Sequence, residues 1–160
     1  MGFTLSLTAL LKNHLQTLDV LCDTGFALAI HIRYTRPTLL YRTYAQDWSD
    51  HYTEQGFMLR DPVVHWGLAN TGMVDWNDLA DPEGVLASAR AHGLFNGLTY
   101  STGSTTSRTI SGITRSTGPF SEQERAQVAE ICDDVHRLTS AFETLPRADQ
   151  LDLRGVFAAA

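Results

Sequence analysis

Two pairs of short, apolar, strand-like segments, far apart in the chain, constrain its fold most strongly. The first pair spans residues 26–33 and 38–42, on either side of a Thr-Arg-Pro turn. The second spans residues 97–101 and 108–114, on either side of a turn rich in Gly, Ser and Thr. Each pair has the pattern of two strands joined by a short turn. The chain is therefore predicted to contain a small antiparallel sheet.

Segments with helical periodicity lie before, between and after the strand pairs, and residues 70–82 between two of them are predicted to be a loop. The helical segments are 4–22, 44–55, a short helix that begins at 62, 83–92 and 121–145. The last helix opens with a capping box, Ser121 to Glu124, and has an apolar stripe with coiled-coil spacing. With fewer than four heptads, the stripe is more typical of a helix that covers a sheet. The order of elements predicts an α+β or three-layer α/β/α domain.

Charge and composition disfavour several classes of protein. The chain has 12 Lys and Arg against 18 Asp and Glu, a net charge of −6, whereas a nucleic-acid module needs a basic face. Its two cysteines form no CxxC pair, which is typical of free thiols in a reducing cytosol. No apolar run approaches the ~18 residues of a membrane span, and the N-terminus lacks the features of a secretory signal. We therefore expect a cytoplasmic protein with no direct contact to nucleic acid or membrane.

Neither a metal site nor an enzyme is predicted. The six histidines lack zinc-site spacing, and no nucleophile elbow, P-loop or dinucleotide fingerprint is present. Asp75, Asp78 and Asp81 lie in one predicted loop, but without the glycine and closing glutamate of a calcium loop such a set is more often solvated. Asp61 and His65 form the one nearby couple that a small hydrolase would need, and His65 is expected on a helix surface.

A run of aromatic residues with polar tips precedes an Asp-Pro pair. Tyr44, Trp48 and Tyr52 follow one another at intervals of four, so they share one helical face, and Asp61 and Trp76 follow. Their O–H and N–H groups are donors, and the carboxylate is an acceptor. Together they could line a cavity for a neutral ligand with carbonyls, an N–H and an apolar tail. An aromatic stripe is usually core, however, and Asp before Pro is usually a helix cap, so the residues alone leave both interpretations open.

The spaced set resembles a known family. Tyr44-x3-Trp48-x3-Tyr52-x8-Asp61-Pro62-x13-Trp76, followed by Gly93-Leu-x-x-Gly97-Leu-Thr99, is similar to the autoinducer-binding domain of LuxR-type quorum-sensing regulators. The resemblance runs from the first helix to about residue 145. It implies an α+β, three-layer α/β/α sandwich with a central antiparallel sheet of about five strands, similar to GAF and PAS domains. Residues 1–146 would form this domain, and 147–160 a tail, terminal helix or linker remnant too short for the family's helix-turn-helix domain.

In that family the ligand is an N-acyl-homoserine lactone, enclosed between the sheet and one helical layer. The resemblance implies that Trp48 donates its indole N–H to the lactone carbonyl. Asp61 would accept the amide N–H of the ligand. Tyr44 would form a hydrogen bond with the amide carbonyl, helped by Ser111 on a late strand.

The remaining site residues implied by the resemblance surround the lactone and its acyl chain. Tyr52 and Trp76 would pack around both, and Thr99 would add a polar contact. Four apolar residues are expected to line the acyl tail: Leu40, Val63, Leu94 and Phe95. No cofactor and no metal is implied, because an uncharged ligand needs only satisfied dipoles in a dry cavity.

The leading hypothesis is therefore a non-catalytic quorum-sensing sensor domain, part of or a modulator of a LuxR-type regulator. It would form a homodimer, or a heterodimer with a full-length LuxR-type regulator. One alternative is a free-standing protein that binds another small amphipathic ligand and acts through heterodimerisation. Another is a dimerisation scaffold that binds no ligand, and a third is the small hydrolase considered above.

Overall fold

The two predicted strand pairs lie side by side in one sheet. The computed structural model describes residues 6–34 and 36–157, and its five strands are antiparallel, in the order β2-β1-β5-β4-β3. The strands are β1 Phe26–Arg33, β2 Arg36–Arg42, β3 Gly72–Asp75, β4 Leu98–Ser104 and β5 Ser107–Ile113. The α+β prediction is confirmed, and the bounds of β1 are those predicted from its apolar run.

Within the described residues, six α-helices cover the sheet. They are α1 Leu7–Leu21, α2 Gln46–Glu54, α3 Pro62–Ala69, α4 Val85–Ala91, α5 Glu122–Leu138 and α6 Arg147–Arg154. Three short 3₁₀ turns lie among them, at Phe57–Leu59, Trp76–Asp78 and Phe142–Thr144. None of the helices in the described ranges is long and apolar enough to cross a membrane.

The two faces of β1 differ in side-chain size. Phe26, Leu28 and Ile30 are fully buried in a core shared with α1 and α5. Ala27 and Ala29 alternate with them and so face the opposite layer, which contains α2, α3 and α4. The large side chains make one interface a solid core, whereas the alanines leave space at the other.

The predicted loop at 70–82 is wrong in part. Residues Gly72–Asp75 form β3, which pairs with β4 from Leu98 to Ser101, and the 3₁₀ turn at Trp76–Asp78 follows. Four residues that include Gly and Asp carry little strand propensity of their own. The strand exists because β4 offers an unpaired edge, which is a long-range contact that local pattern does not reveal.

The apolar stripe of the last predicted helix is used within the domain. The α-helix ends at Leu138 rather than 145, and Val128, Ile131 and Val135 are almost fully buried against α1 and the sheet. The prediction of core packing over a dimer seam agrees with this burial. The terminal segment also packs on the domain, because Leu153 of α6 is buried and its carbonyl accepts the Tyr41 hydroxyl at 2.6 Å.

Glu124, the last residue of the capping box of α5, is expected to make a contribution to stability that is lost in acid. Two Arg115 nitrogens donate to the Glu124 carboxylate at 2.5 and 2.8 Å, and these bonds lower the pKa of Glu124 from 4.5 to about 2. A lowered carboxyl pKa stabilises the fold above the unfolded-state pKa, and this contribution is lost as pH falls toward 2. Glu124→Gln should therefore reduce the free energy of unfolding at neutral pH but not near pH 2, as measured by urea denaturation at both. Glu130→Gln, on the exposed face of the same helix, is the matched control and should change neither; a loss of equal size at both pH values would contradict the assignment.

Candidate functional site

A cavity of about 360 Å³ lies between the sheet and the layer formed by α2, α3 and α4. Its floor consists of small side chains on the central strands. Pairing across β2, β1, β5 and β4 places Arg42, Ala27, Gly112 and Thr99 in one row. The next row along the strands contains Leu40, Ala29, Ile110 and Ser101. Because the side chains of Ala27 and Ala29 are small and Gly112 has none, the space between the sheet and the helices above it is not filled.

The layer of α2, α3 and α4 forms the roof of the cavity, and α2 carries two of the predicted aromatic residues. Trp48 and Tyr52 lie one turn apart on α2, as their spacing predicted, and their rings meet edge to face with centroids 5.8 Å apart. Trp48 also packs on Phe57 of the following 3₁₀ turn, at 6.1 Å. Both side chains border the cavity, and Trp48 is only 6% exposed. These contacts between rings hold Trp48 and Tyr52 in place.

Tyr44 lies between β2 and α2 and is anchored to the floor. Its hydroxyl donates to the carbonyl of Gly112 at 2.7 Å. A side chain at Gly112 would crowd this bond, because a Cβ there would lie 3.3 Å from the Tyr44 hydroxyl oxygen. Burial raises the pKa of Tyr44 well above its ordinary value, so the phenol stays a neutral donor.

Asp61 both caps α3 and borders the cavity, so the two interpretations of this residue are compatible. Its Oδ1 accepts the Val63 backbone N–H at 2.8 Å, and its Oδ2 accepts the Tyr52 hydroxyl at 2.9 Å. Burial is the dominant effect and raises the pKa of Asp61 in spite of these bonds, which lower it. Each carboxylate oxygen retains a further acceptor position, and a ligand N–H could occupy one.

The two tryptophans of the site differ in how their N–H groups are used. Trp76 donates from Nε1 to the Thr99 hydroxyl at 2.9 Å, so its donor is satisfied inside the protein. Its ring lies against Gly97, where a Cβ would come within 2.0 Å of the indole. The Trp48 N–H makes no hydrogen bond within residues 6–34 and 36–157, although the ring borders the cavity. Trp48 is therefore the aromatic residue of the site whose donor is available to a ligand.

The structure brings most, but not all, of the predicted site residues to the cavity. Seven residues border it: Tyr44, Trp48, Tyr52, Asp61, Trp76, Leu40 and Val63. Thr99 does not border the cavity, and its hydroxyl accepts the Trp76 N–H instead. Leu94 is buried among α2 and α4, and Phe95 is 47% exposed, so neither borders the cavity.

Ser111 departs from the prediction because of strand periodicity. Ile110 and Gly112 of β5 border the cavity, so Ser111 between them points to the opposite face. There it bonds the backbone of Tyr100, accepting from N–H at 3.1 Å and donating to the carbonyl at 3.2 Å. An assignment one residue off along a strand reverses the face. The residue at the predicted place on the floor is Gly112, which offers its carbonyl rather than a hydroxyl.

Several lining residues had no role in the sequence-based prediction. Ala27 and Ala29 form the floor, and their small size at alternate positions of an apolar strand is the signal that could have revealed them. Met58 and Leu59, which are 42% and 77% exposed, form the rim on one side. Arg42 borders the cavity from the end of β2.

Comparison with known proteins agrees with this fold. The sequence model of the autoinducer binding domain matches residues 23–142. No curated protein sequence matches the chain. The fold is similar to that of Escherichia coli SdiA, with 20% identity over 98% of this chain and 66% of that one, and a TM-score of 0.64.

Two further solved structures are similar in fold. SdiA in complex with octanoyl-rac-glycerol has a TM-score of 0.65 and 21% identity over 94% of this chain and 63% of that one. CepR2 of Burkholderia cenocepacia, an N-acylhomoserine lactone-dependent LuxR family transcription factor, has a TM-score of 0.54 and 18% identity over 79% of this chain and 75% of that one. The chain thus spans slightly less than two thirds of the length of SdiA. Because the family match takes in most of the chain and the fold agrees with it, the chain belongs to the autoinducer-binding domain family.

Proposed function

We propose that the cavity binds an N-acyl-homoserine lactone and that the chain acts as a quorum-sensing sensor domain. The observation that carries the proposal is that two residues border an apolar cavity above a floor of alanine and glycine: Trp48, whose N–H makes no hydrogen bond within the described residues, and Asp61, a buried acceptor. A neutral ligand with a carbonyl, an amide N–H and an alkyl chain matches these groups.

Each polar group of such a ligand has a partner in this arrangement. Trp48 would donate to the lactone carbonyl, and Asp61 would accept the amide N–H. Tyr44 would redirect its O–H from the Gly112 carbonyl to the amide carbonyl of the ligand. The alkyl chain would lie over Ala29 and Ile110, away from the polar row of the floor.

Ligand binding should raise the stability of the protein, since a ligand that binds only the folded state stabilises it by about 2.7 kcal/mol at one hundred times its Kd. The test is a thermal unfolding series with lactones of increasing chain length. It is paired with mass spectrometry of organic extracts from protein expressed in their presence. A saturable rise in Tm and recovery of one lactone would support the proposal. A flat Tm across the series with no ligand recovered would contradict it and favour a scaffold that binds no ligand.

Trp48→Phe is expected to weaken lactone binding by about 1–3 kcal/mol, because a buried ligand carbonyl would lose its donor while the ring volume is largely kept. The measurement is the lactone Kd by calorimetry. Trp66→Phe is the matched control, since Trp66 lies on α3 outside the cavity lining. Equal affinities of the parent and Trp48→Phe would remove Trp48 from the ligand site.

The same proposal holds that the domain does not hydrolyse its ligand. A hydrolase would need a base that is free to activate water or a nucleophile. His65, four residues after Asp61, is exposed and its Nε2 bonds the Leu59 carbonyl at 2.9 Å. Lactone recovered intact after prolonged incubation with pure protein would support the sensor function, and ring-opened product above the protein-free rate would contradict it.

A dimeric partner and a cytoplasmic location complete the proposal. Cys22 and Cys132 are buried free thiols, as suits a reducing compartment. The partner would be a second copy or a full-length LuxR-type regulator. Light scattering of the chain with and without lactone, alone and with such a regulator, tests for both.

A further inference from the structure

Arg42 is a cation at the rim of a cavity whose proposed ligand is uncharged. It is the last residue of β2, and it stands in the same row of the floor as Ala27 and Gly112. Strand periodicity directs Leu40 and Arg42 to the cavity and Leu39 and Tyr41 to the opposite core, and both of the former border the cavity. Arg42 therefore stands at the β2 end of the floor row that contains Gly112, and its side chain is exposed at the rim of the cavity.

The guanidinium of Arg42 has no hydrogen-bond or ion-pair partner among the described residues. Within the described ranges, its guanidinium forms no hydrogen bond and has no carboxylate within ion-pair distance, in contrast to Arg115 and Arg125. The nearest acidic residues along the chain, Asp47 and Asp50, lie on α2, and Asp50 accepts a bond from Gln46 instead. A ligand that covers the rim displaces water from this guanidinium and should supply an acceptor in its place.

We propose that Arg42 selects the head group of the ligand, so that the cavity accepts N-acyl amino acids, with a carboxylate beside the amide, as well as lactones. This inference rests on the proposed function, because it uses the same amide and acyl chain. A carboxylate is the anion that a guanidinium binds best, through two parallel hydrogen bonds. A lactone offers Arg42 only neutral oxygens.

The distances across the floor allow this contact. Tyr44 reaches the Gly112 carbonyl, and two strand spacings, about 10 Å, separate Gly112 from Arg42. The arginine stem spans most of that separation. In an N-acyl amino acid the carboxylate is one carbon away from the amide nitrogen, so a ligand whose amide is held near Tyr44 can extend its carboxylate toward Arg42.

Asp61 does not forbid a second carboxylate in the site. It lies on the roof at the start of α3, whereas Arg42 lies on the floor at the edge strand. Its two oxygens already accept the Val63 N–H and the Tyr52 O–H. The ligand amide N–H would stand between Asp61 and the ligand carboxylate, which reduces their repulsion.

The test compares two probes that differ only in the head group: N-octanoyl-L-homoserine lactone and N-octanoyl-L-homoserine, the acid formed by opening its ring. Calorimetric Kd values for both are measured with the parent chain, Arg42→Gln, Arg42→Lys and Arg36→Gln. Arg36 lies on the same strand outside the cavity lining, so its variant controls for loss of one positive charge. Measurements at low and high salt separate a direct ion pair from general attraction.

We expect the parent to bind the acid within about tenfold of the lactone. Arg42→Gln should weaken the acid about tenfold or more and the lactone less than about threefold, with partial recovery in Arg42→Lys and no change in Arg36→Gln. A parent that binds the lactone but not the acid overturns this inference and leaves the proposed function standing. Equal losses for both probes in Arg42→Gln also overturn it. A parent that binds neither probe overturns the proposed function together with it.

Discussion

Replacing Gly97 with alanine should destabilise the fold by about 3 kcal/mol, at the upper end of the usual cost of overpacking. A Cβ at position 97 would lie 2.0–2.5 Å from three ring atoms of Trp76, distances that no real contact reaches. The ring cannot simply rotate away, because its Nε1 donates to Thr99 and its backbone N–H donates to the Gly97 carbonyl at 2.9 Å. Urea denaturation measures the loss, and the lactone-induced rise in Tm should shrink with it, since Trp76 borders the cavity.

Two further variants separate this clash from other effects of the substitution. In a Trp76→Leu background the alanine should cost much less, because the smaller side chain vacates the space, and the double-mutant cycle gives the coupling directly. Gly155→Ala is the neutral control, since its Cβ would meet the nearest atom at an ordinary 3.6 Å. If Gly97→Ala cost the same in both backgrounds, the strain would lie in the start of β4 and not in the contact with Trp76.

The local features of this fold were predictable because their causes are local. An apolar run bounded by a turn marks β1, and an Asp before a Pro marks the start of α3, where the carboxylate does cap the helix. The i, i+4 spacing of Trp48 and Tyr52 places both rings on one side of α2, and both border the cavity. In each case the responsible residues lie within a few positions of one another.

The features that escaped prediction depend on partners distant in sequence. β3 forms because β4 offers it an edge, and the face of Ser111 depends on the register of β5 against β1. The bond from Tyr44 goes to a backbone carbonyl 68 residues away, which no pattern of side chains can indicate. Arg42 resembles any solvent-exposed strand end until the pairing of β2 with β1 assigns it to the cavity floor.

Asp61→Asn should separate the stability of the empty protein from its affinity for lactone. Burial raises the pKa of Asp61, so the carboxyl group favours the fold below its ordinary pKa and this contribution is lost as pH rises through the folded-state pKa. Above the folded-state pKa the ionised group therefore opposes folding. Asparagine keeps an oxygen for the Val63 N–H and carries no charge. The empty variant should be at least as stable as the parent at neutral pH, as measured by urea denaturation.

The affinity of the Asp61→Asn variant for lactone should fall, although its stability does not. A hydrogen bond to a charged acceptor contributes about 1.5–3 kcal/mol, so the variant should bind lactone roughly tenfold to a hundredfold more weakly. Because the ligand N–H favours the ionised carboxylate, binding lowers the pKa of Asp61, and the parent's affinity should fall as pH drops through the raised pKa of the empty site. The variant, with nothing to titrate there, should lose this pH dependence.

Asp81→Asn is the control, since Asp81 likewise accepts two helix N–H groups, those of Leu86 and Ala87, and Asp81 itself does not border the cavity. A stable Asp61→Asn protein with the parent's affinity and pH profile would show that the carboxylate caps α3 and does not hold the ligand.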